Sequence, residues 1–348
     1  MVDFRVLPVG PGQVRATILG ICEAGAPPAG RCRPALRPAP GPGRNTDSLA
    51  SAPMLLLTGA TGSIGSRLLP LLLESGEDVR CLVREPRRLG PRRVDVQIAL
   101  GDLGEMSDPY LVRQALRGVD TVIHLAATIR DQPPKRIEEL NGLATVRLLR
   151  AAERSGVKRF HFFSALDAGG AQRTRFFRAK WVAEQAVRSS PLETTVFAPS
   201  IVYDHSDPWI TLLRRFSFLP VLPVSGDGKA VFQPIWAEDV ARCVVAALGL
   251  GQGAAPRYEL AGPETLSYDQ MSDLVSRIAG RPRPLVHIPL PLIRSSLIAI
   301  RSLFGEAVFA TWEEAELMEV SMVSERGTAD AQALGVEPRR MSDVLETT

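Results

Sequence analysis

The chain has 348 residues, of which 45% are hydrophobic and 23% charged, and its 41 basic and 38 acidic side chains leave a net charge of +3. That length and composition supply ample apolar material for a packed core, and no apolar run approaches the roughly 18 residues of a membrane-spanning helix. Four cysteines (Cys22, Cys32, Cys81, Cys243) without paired spacing and four scattered histidines argue against a disulfide framework or a metal site, so a cytoplasmic protein with reduced thiols is expected.

Residues 1–53 differ in kind. From Ala24 to Pro53 the chain is mostly Ala, Pro, Gly and Arg without periodicity, too poor in large apolar side chains to offset the entropy of ordering. The h-region and cleavage pattern of a secretory signal are missing. Six arginines against three acids place the whole +3 here, and the remaining chain carries 35 bases and 35 acids. A balanced body gives no reason to expect nucleic acid as a partner. Because the first strand begins at Met54, the expected natural start is there, with the upstream stretch being misassigned coding sequence. A transit-like extension or disordered tail is the alternative.

Met54-Leu-Leu-Leu-Thr58 is a short continuous apolar run, the pattern of a strand buried on both faces. Gly59-Ala-Thr-Gly62-Ser-Ile-Gly65 follows directly, and then a segment to Glu74 that is apolar at helical spacing. Strand, glycine turn and helix in that order form the context in which a glycine pattern signals a dinucleotide. Gly59 permits the tight turn, Gly62 lets backbone approach a pyrophosphate, and Gly65 lets the helix pack on the strand, so that its free amides meet the phosphates. Thr58, Thr61, Ser63 and Ile64 add hydroxyl or amide donors. Pro70 removes one intrahelical donor and predicts a slight kink.

The second strand, Asp78–Val83, ends in Arg84, about 20 residues past the glycine turn, where ribose specificity is set. Arg84, with Arg87 and Arg88 behind it, suits a 2′-phosphate and favours NADP(H) over NAD(H), while the adjacent Glu85 pulls the other way. A third strand over Val94–Leu100 runs into Gly101-Asp102-Leu103, which places a carboxylate by the adenine amino group and Leu103 against the ring. A helix over Asp108–Arg117 precedes a fourth strand, Val119–His124, and the small residues Ala126 and Ala127 let the chain pass under the cofactor's ribose. His124, alone in an apolar strand, reads as a packed core residue.

Thr58–Gly65, Gly101–Leu103, His124–Ala127, a helical Asn141, Val157–Ser164 as a strand and Pro199-Ser-Ile201-Val-Tyr203 together resemble the extended and atypical short-chain dehydrogenase/reductase superfamily. The stretch Phe162–Ala168 and a C-terminal Leu334–Pro338 are similar to the branch of the dehydrogenase-like accessory subunit of respiratory complex I and its bacterial relatives. NmrA-like sensors and NAD-dependent epimerase/dehydratases are more distant kin. The resemblance spans about 54–340 and implies an α/β, doubly wound parallel-sheet Rossmann fold with a small C-terminal substrate lobe. The cofactor core would be 54–206 and the lobe 207–348, with about 231–262 returning to the core. It also implies cofactor contacts at Pro199 and Ile201.

By the same resemblance Ser164 is the serine that polarises a substrate carbonyl, and Lys180 the lysine that holds the nicotinamide ribose. The family's tyrosine belongs at 176, twelve residues after Ser164, and that position is phenylalanine. A phenyl ring fills the space but has no proton to give, and losing a positioned acid costs about a hundred- to ten-thousandfold in rate. Lys180 itself, Tyr203 after the sixth strand, or water held by Ser164 are the candidate replacements. Lys180 stands out because the chain has four lysines against 37 arginines.

Downstream, a helix is expected over Asp207–Phe216, a turn and strand over Gly226–Ile235, and a helix from Ala237 in which Asp239 caps or anchors. Phe216, Leu219, Leu222, Phe232 and Trp236 imply an apolar pocket for a lipid-like or quinone-like ligand, or ordinary core packing. Ile288–Phe304, apolar apart from Arg294, Arg301 and serines, suits an amphipathic helix on a membrane surface, on a partner subunit or on the lobe itself. The sequence thus predicts an NAD(P)-dependent oxidoreductase or epimerase-like protein for a small or lipid-like molecule, or else a non-catalytic dinucleotide-binding sensor or accessory subunit.

Overall fold

The structure, a computed structural model, describes residues 53–101, 109–132, 134–293, 295 and 312–347. Its central strand is β1 (Met54–Thr58), buried along all five residues, as an apolar run with layers above and below requires. β1 lies between β2 (Asp78–Val83) and β4 (Val119–His124), parallel to both. β3 (Gln97–Leu100) edges one side. β5 (Arg159–Phe163), β6 (Glu193–Pro199) and β11 (Arg257–Leu260) extend the other. The order β11-β6-β5-β4-β1-β2-β3 is parallel throughout. It reverses between β1 and β4, the switch point of a doubly wound Rossmann sheet, where ligands bind outside the strands' carboxyl ends.

Alternation along β1 sends its side chains to two cores. Leu55 and Leu57 join Leu68, Leu69 and Leu72 of α1 (Ser63–Glu74) and Val240, Val244 and Ala247 of α6 (Ala237–Leu250). Met54 and Leu56 face α2 (Pro109–Leu116), α3 (Ala144–Arg154) and α4 (Arg175–Arg188) through Leu116, Leu148 and Val187. α1 runs through Pro70 without a break.

A third cluster lies around Phe177, Tyr203, Phe232, Met271 and Met341. α5 (Pro208–Phe216) starts at Asp207, whose Oδ1 accepts from Trp209 N at 2.8 Å. α7 (Tyr268–Ile278) opens on a reciprocal capping box between Ser267 and Gln270. Three small ladders hold the region together: β7 (Val202–Tyr203) with β10 (Ile235–Trp236), β8 (Leu222–Ser225) with β13 (Leu285–Ile288), and β9 (Val231–Phe232) with β12 (Leu266–Ser267). Asp239 is buried in the first turn of α6 and accepts from Arg339 N at 2.8 Å, so it anchors the C-terminal segment.

The third strand is shorter than its apolar pattern suggests. Pro86–Val94 winds as 3-10 turns and Val94 is 81% exposed. β3 is an edge strand, and pairing with β2 begins only at Gln97, opposite Arg80. Among the described residues no helix is long and apolar enough to cross a membrane. Of the Ile288–Phe304 stretch, only Ile288–Ile293 and Ser295 lie within the described residues, as do none of residues 1–52.

Candidate functional site

The turn after β1 is shaped by what cannot fit there. Gly59 has φ +78°, and a Cβ on it would sit 2.7 Å from Ala126 N. On Gly65 a Cβ would drive into Gly59 O and lie 2.7 Å from Ala60 Cα. The loop, the start of α1 and the chain leaving β4 therefore press together backbone to backbone. Gly62 N donates to Gly59 O at 3.0 Å, closing the turn. Gly62 is also the N-cap and offers no side-chain acceptor, and α1 has no acid in its first turn. Among the described residues no side chain caps the opening amides, and no first-turn acid meets the positive end of the helix. Thr61, Ser63 and Ile64 are partly exposed along this rim.

Thr58 serves the scaffold. Its buried hydroxyl lies 2.7 Å from His124 Nδ1 and accepts from Ala126 N at 3.3 Å. His124 Nε2 lies 2.9 Å from Thr145 Oγ1, which donates to Asn141 O at 2.8 Å. Since Thr145 spends its proton on Asn141, His124 must donate through Nε2–H and accept from Thr58 at Nδ1, which makes it neutral. Burial, with the field of Lys180 adding to it, lowers the imidazole to about 3. The Asn141 side chain, on a π-helical turn before α3, exchanges two bonds with the Thr128 backbone, at 2.9 and 2.7 Å. One polar chain from β1 to α3 thereby fixes the 125–128 segment, including Ala126 and Ala127, at the switch point. Sequence reading placed His124 in the core and Asn141 in a helix but did not connect them.

The second cluster sits at the end of β5. Lys180 is 3% exposed and its Nζ donates to Phe163 O at 2.6 Å. The rings of Phe162 and Phe176 lie 5.1 and 5.8 Å from Nζ, centroid to atom. Desolvation lowers this ammonium to about 7. Ser164, next along the chain, is buried, and its Oγ has no hydrogen-bond partner among the described residues. Lys180 and Phe176 thus meet beside the end of β5 that leads into Ser164, with phenylalanine at the position the family resemblance gives to an acid. Tyr203 belongs to the third cluster, which also takes in Ala165 and Phe177 and has Phe176 packed against it. It sits on β7, its hydroxyl buried without a partner among the described residues. Burial, then Asp239 and Glu264, raise its pKa far above the ordinary phenol range. Pro199 O accepts from Leu166 N, and Ile201 O from Ile235 N, so both hold the loops that flank the site.

At the other end, Arg84 is exposed at the tip of β2 and its Nη1 donates to Gln132 Oε1 at 3.0 Å. Arg87 and Arg88 are exposed on the following turns. Asp102 and Leu103 lie outside the described residues. Two ion-pair clamps were not visible in sequence. Arg67 of α1 grips the buried Asp204 in a fork, Nη2 to Oδ1 at 2.9 Å and Nε to Oδ2 at 3.2 Å. Arg175 at the head of α4 spans Asp131, at 3.0 Å, and Glu138, at 2.5 Å.

A family described as NAD(P)H-binding matches residues 59–249, more than half of the chain. The chain belongs to this NAD(P)H-binding family. Within the short-chain dehydrogenase/reductase superfamily, it is similar to the mitochondrial NADH dehydrogenase [ubiquinone] 1 alpha subcomplex subunit 9 of Arabidopsis thaliana. The two are 28% identical over 250 residues, 68% of this chain and 60% of that subunit. It is similar as well to the NAD(P)H azoreductase of Xenophilus azovorans, 30% identical over 70% of this chain and 80% of the reductase. A solved nucleoside-diphosphate-sugar epimerase from Staphylococcus aureus shares the fold at 18% identity, with a TM-score of 0.68, over 84% of this chain and 99% of the epimerase. This NAD(P)H-binding chain fits a nicotinamide dinucleotide on its own geometry. Around Gly62 an added Cβ would meet only Gly59 O, at 3.4 Å, so the loop is open to close approach, and the α1 amides face that opening.

Proposed function

We propose that this protein is an NAD(P)H-dependent oxidoreductase for small lipid-like or quinone-like acceptors, whose reduction needs no proton donor at position 176. The observation that carries the reading is the buried Lys180 with the Phe176 ring 5.8 Å from its Nζ, and a buried Ser164 next to the Phe163 carbonyl that Lys180 holds. A bound reduced nicotinamide supplies a hydride. The amides of residues 62–65 would hold its pyrophosphate, and Lys180 and Ser164 flank the reacting end. An aldehyde or ketone becomes an alkoxide and needs an acid in the transition state. A quinone or azo acceptor becomes a delocalised anion that takes its proton from water, so the missing tyrosine costs it far less. For the adenine end, we assign the 2′-phosphate of NADP(H) to Arg84, Arg87 and Arg88, whose exposed guanidiniums suit it.

The test is single-turnover oxidation of NADPH and NADH against matched quinone and aldehyde panels, with wild type and Phe176→Tyr. Quinone turnover in wild type, with aldehyde turnover rising about a hundredfold or more in Phe176→Tyr, is expected. Bound cofactor that stays reduced against every acceptor would sink the reading. A second reading, a non-catalytic dinucleotide-binding accessory subunit or redox sensor, is favoured by the bond that ties Lys180 Nζ to Phe163 O. It predicts tight NADPH binding, no turnover, and no gain in Phe176→Tyr. Arg84→Ala should narrow the affinity gap between NADPH and NADH while leaving NADH binding unchanged.

A further inference from the structure

The region that closes the third cluster presents a surface unlike the rest of the chain. Phe218, Leu219, Val221 and Val286 are 67%, 45%, 37% and 43% exposed. The ladder of β8 and β13 brings them together, with Leu222 opposite Leu285 and Pro223 opposite Val286. Leu222 N donates to Pro284 O at 2.9 Å, so the turn after α5 and the entry to β13 are tied side by side. Solvent-facing phenylalanine and leucine in adjacent turns form an apolar patch that ordinary monomer surfaces rarely keep without a use.

The two segments that carry the patch hold charge of one sign. Neither Pro208–Ser225 nor Ala279–Ser295 contains an aspartate or glutamate, yet together they carry Arg214, Arg215, Arg281, Arg283 and Arg294. This occurs in a body whose 35 bases and 35 acids cancel, so the remainder of that body is net acidic. The Arg281 guanidinium lies 3.9 Å from the Phe218 ring centroid, and Arg283 Nε donates to Ser217 O at 2.9 Å. Both arginines therefore rise beside the exposed rings rather than apart from them. Carboxylates lie at the far end of the ladder: Asp269 is engaged by His287, Asp227 by Lys229, and Glu319 lies against Gly226, while Asp273 pairs with Arg277. Exposed apolar side chains with Arg281 and Arg283 beside them, on two segments that carry no acid, match an interface with apolar material beneath an anionic layer.

We propose that the face formed by Phe218, Leu219, Val221, Val286 and Arg281 docks this protein onto an anionic lipid surface. The apolar side chains enter the headgroup boundary and the arginines meet lipid phosphates. This is independent of the cofactor reading, since the patch lies on the turn between α5 and β8 and on β13 and includes none of the residues assigned to the cofactor.

The test is co-sedimentation of the full chain with phosphatidylcholine vesicles, with and without phosphatidylglycerol. Wild type should bind the anionic vesicles, bind the neutral ones weakly, and release as salt is raised. Phe218→Ser/Leu219→Ser should weaken binding about tenfold or more, and Arg281→Glu should remove most of the preference for anionic lipid. Residues 1–53 are basic and remain in every variant, so the difference between variants reports the patch. Unchanged cofactor affinity and near-ultraviolet dichroism verify that these surface substitutions leave the fold intact. Absence of vesicle binding in wild type overturns the proposal, as does equal binding by the Phe218→Ser/Leu219→Ser variant. Sedimentation velocity gives a third outcome: a dimer that this variant dissociates, without any lipid binding, would assign the face to a second copy of the chain and overturn the lipid reading.

Discussion

Lys180 gives folding a pH dependence of unusual sign. Its ammonium sits at about 7 when folded, against 10.5 as the ordinary value, because burial disfavours the charge. Below pH 7 both folded and unfolded chains hold the proton, and folding bears the full desolvation cost. Between pH 7 and 10.5 the folded chain has released the proton while the unfolded chain keeps it, so stability rises with pH across that window. Lys180→Met removes the cost while keeping the volume. It should raise stability by a few kcal/mol at pH 6, and the advantage should shrink towards pH 10, which urea unfolding at the two pH values measures. Equal gains at both values would mean that the amine is solvated. His124 and His161 are lowered to about 3 and 4 by burial. They add an acid-side loss of stability below 6.5; at pH 6 both imidazoles are neutral in the folded chain with or without the Lys180 charge, so this loss drops out of the comparison. Ser164, Lys180 and the missing tyrosine were legible in sequence because they lie within twenty residues on one strand–helix unit. The Arg67–Asp204 fork was not, because its partners are 137 residues apart and each alone reads as surface charge.

Among the elements, the glycine turn and α1 were legible for a steric reason that the structure makes explicit, since only glycine lets three backbones meet there. Gly65→Ala should destabilise by about 1–3 kcal/mol, because the added methyl meets Gly59 O and Ala60 rather than a flexible side chain. It should also weaken cofactor binding by shifting the turn. Gly249→Ala is the control. Gly249 lies in α6, with nothing within 4 Å of its added Cβ, and should stabilise by about 0.5–1 kcal/mol through the unfolded chain's lost entropy. Thermal unfolding of the two variants measures both signs, and a stable Gly65→Ala would refute the close-approach account. Other elements hid. Val94 and Val96 give the third strand's start its apolar pattern, but they lie ahead of an exposed edge strand, where hydrophobicity does not report pairing. β11, four residues of mixed polarity, is a strand only because β6 offers it an edge.

At the scale of the whole molecule, the last stretch of chain stitches the sheet to the third cluster. Ser324 N donates to Gln233 Oε1 at 2.8 Å, Glu259 N to Asp330 Oδ2 at 2.7 Å, and Met341 N to Glu264 Oε2 at 2.7 Å. Asp330 is 3% exposed and also pairs with Arg326, so Asp330→Ala strands the Glu259 amide on β11 and one guanidinium. The expected loss is about 1–3 kcal/mol, with the thermal midpoint lowered by several degrees and one coincident transition by every probe. β11 is separated from β1 by three strands of the sheet, and Asp330 bonds no residue of the α1 turn, so the turn itself should keep its geometry. A ligand that binds only the folded state, present at about a hundred times its Kd, stabilises by roughly 2.7 kcal/mol. Saturating NADPH should therefore raise Asp330→Ala to near the ligand-free wild-type midpoint, whereas Gly65→Ala, with its phosphate turn displaced, should gain much less. Equal rescue of the two variants by NADPH would show that the dinucleotide does not rest on the turn between Gly59 and Gly65.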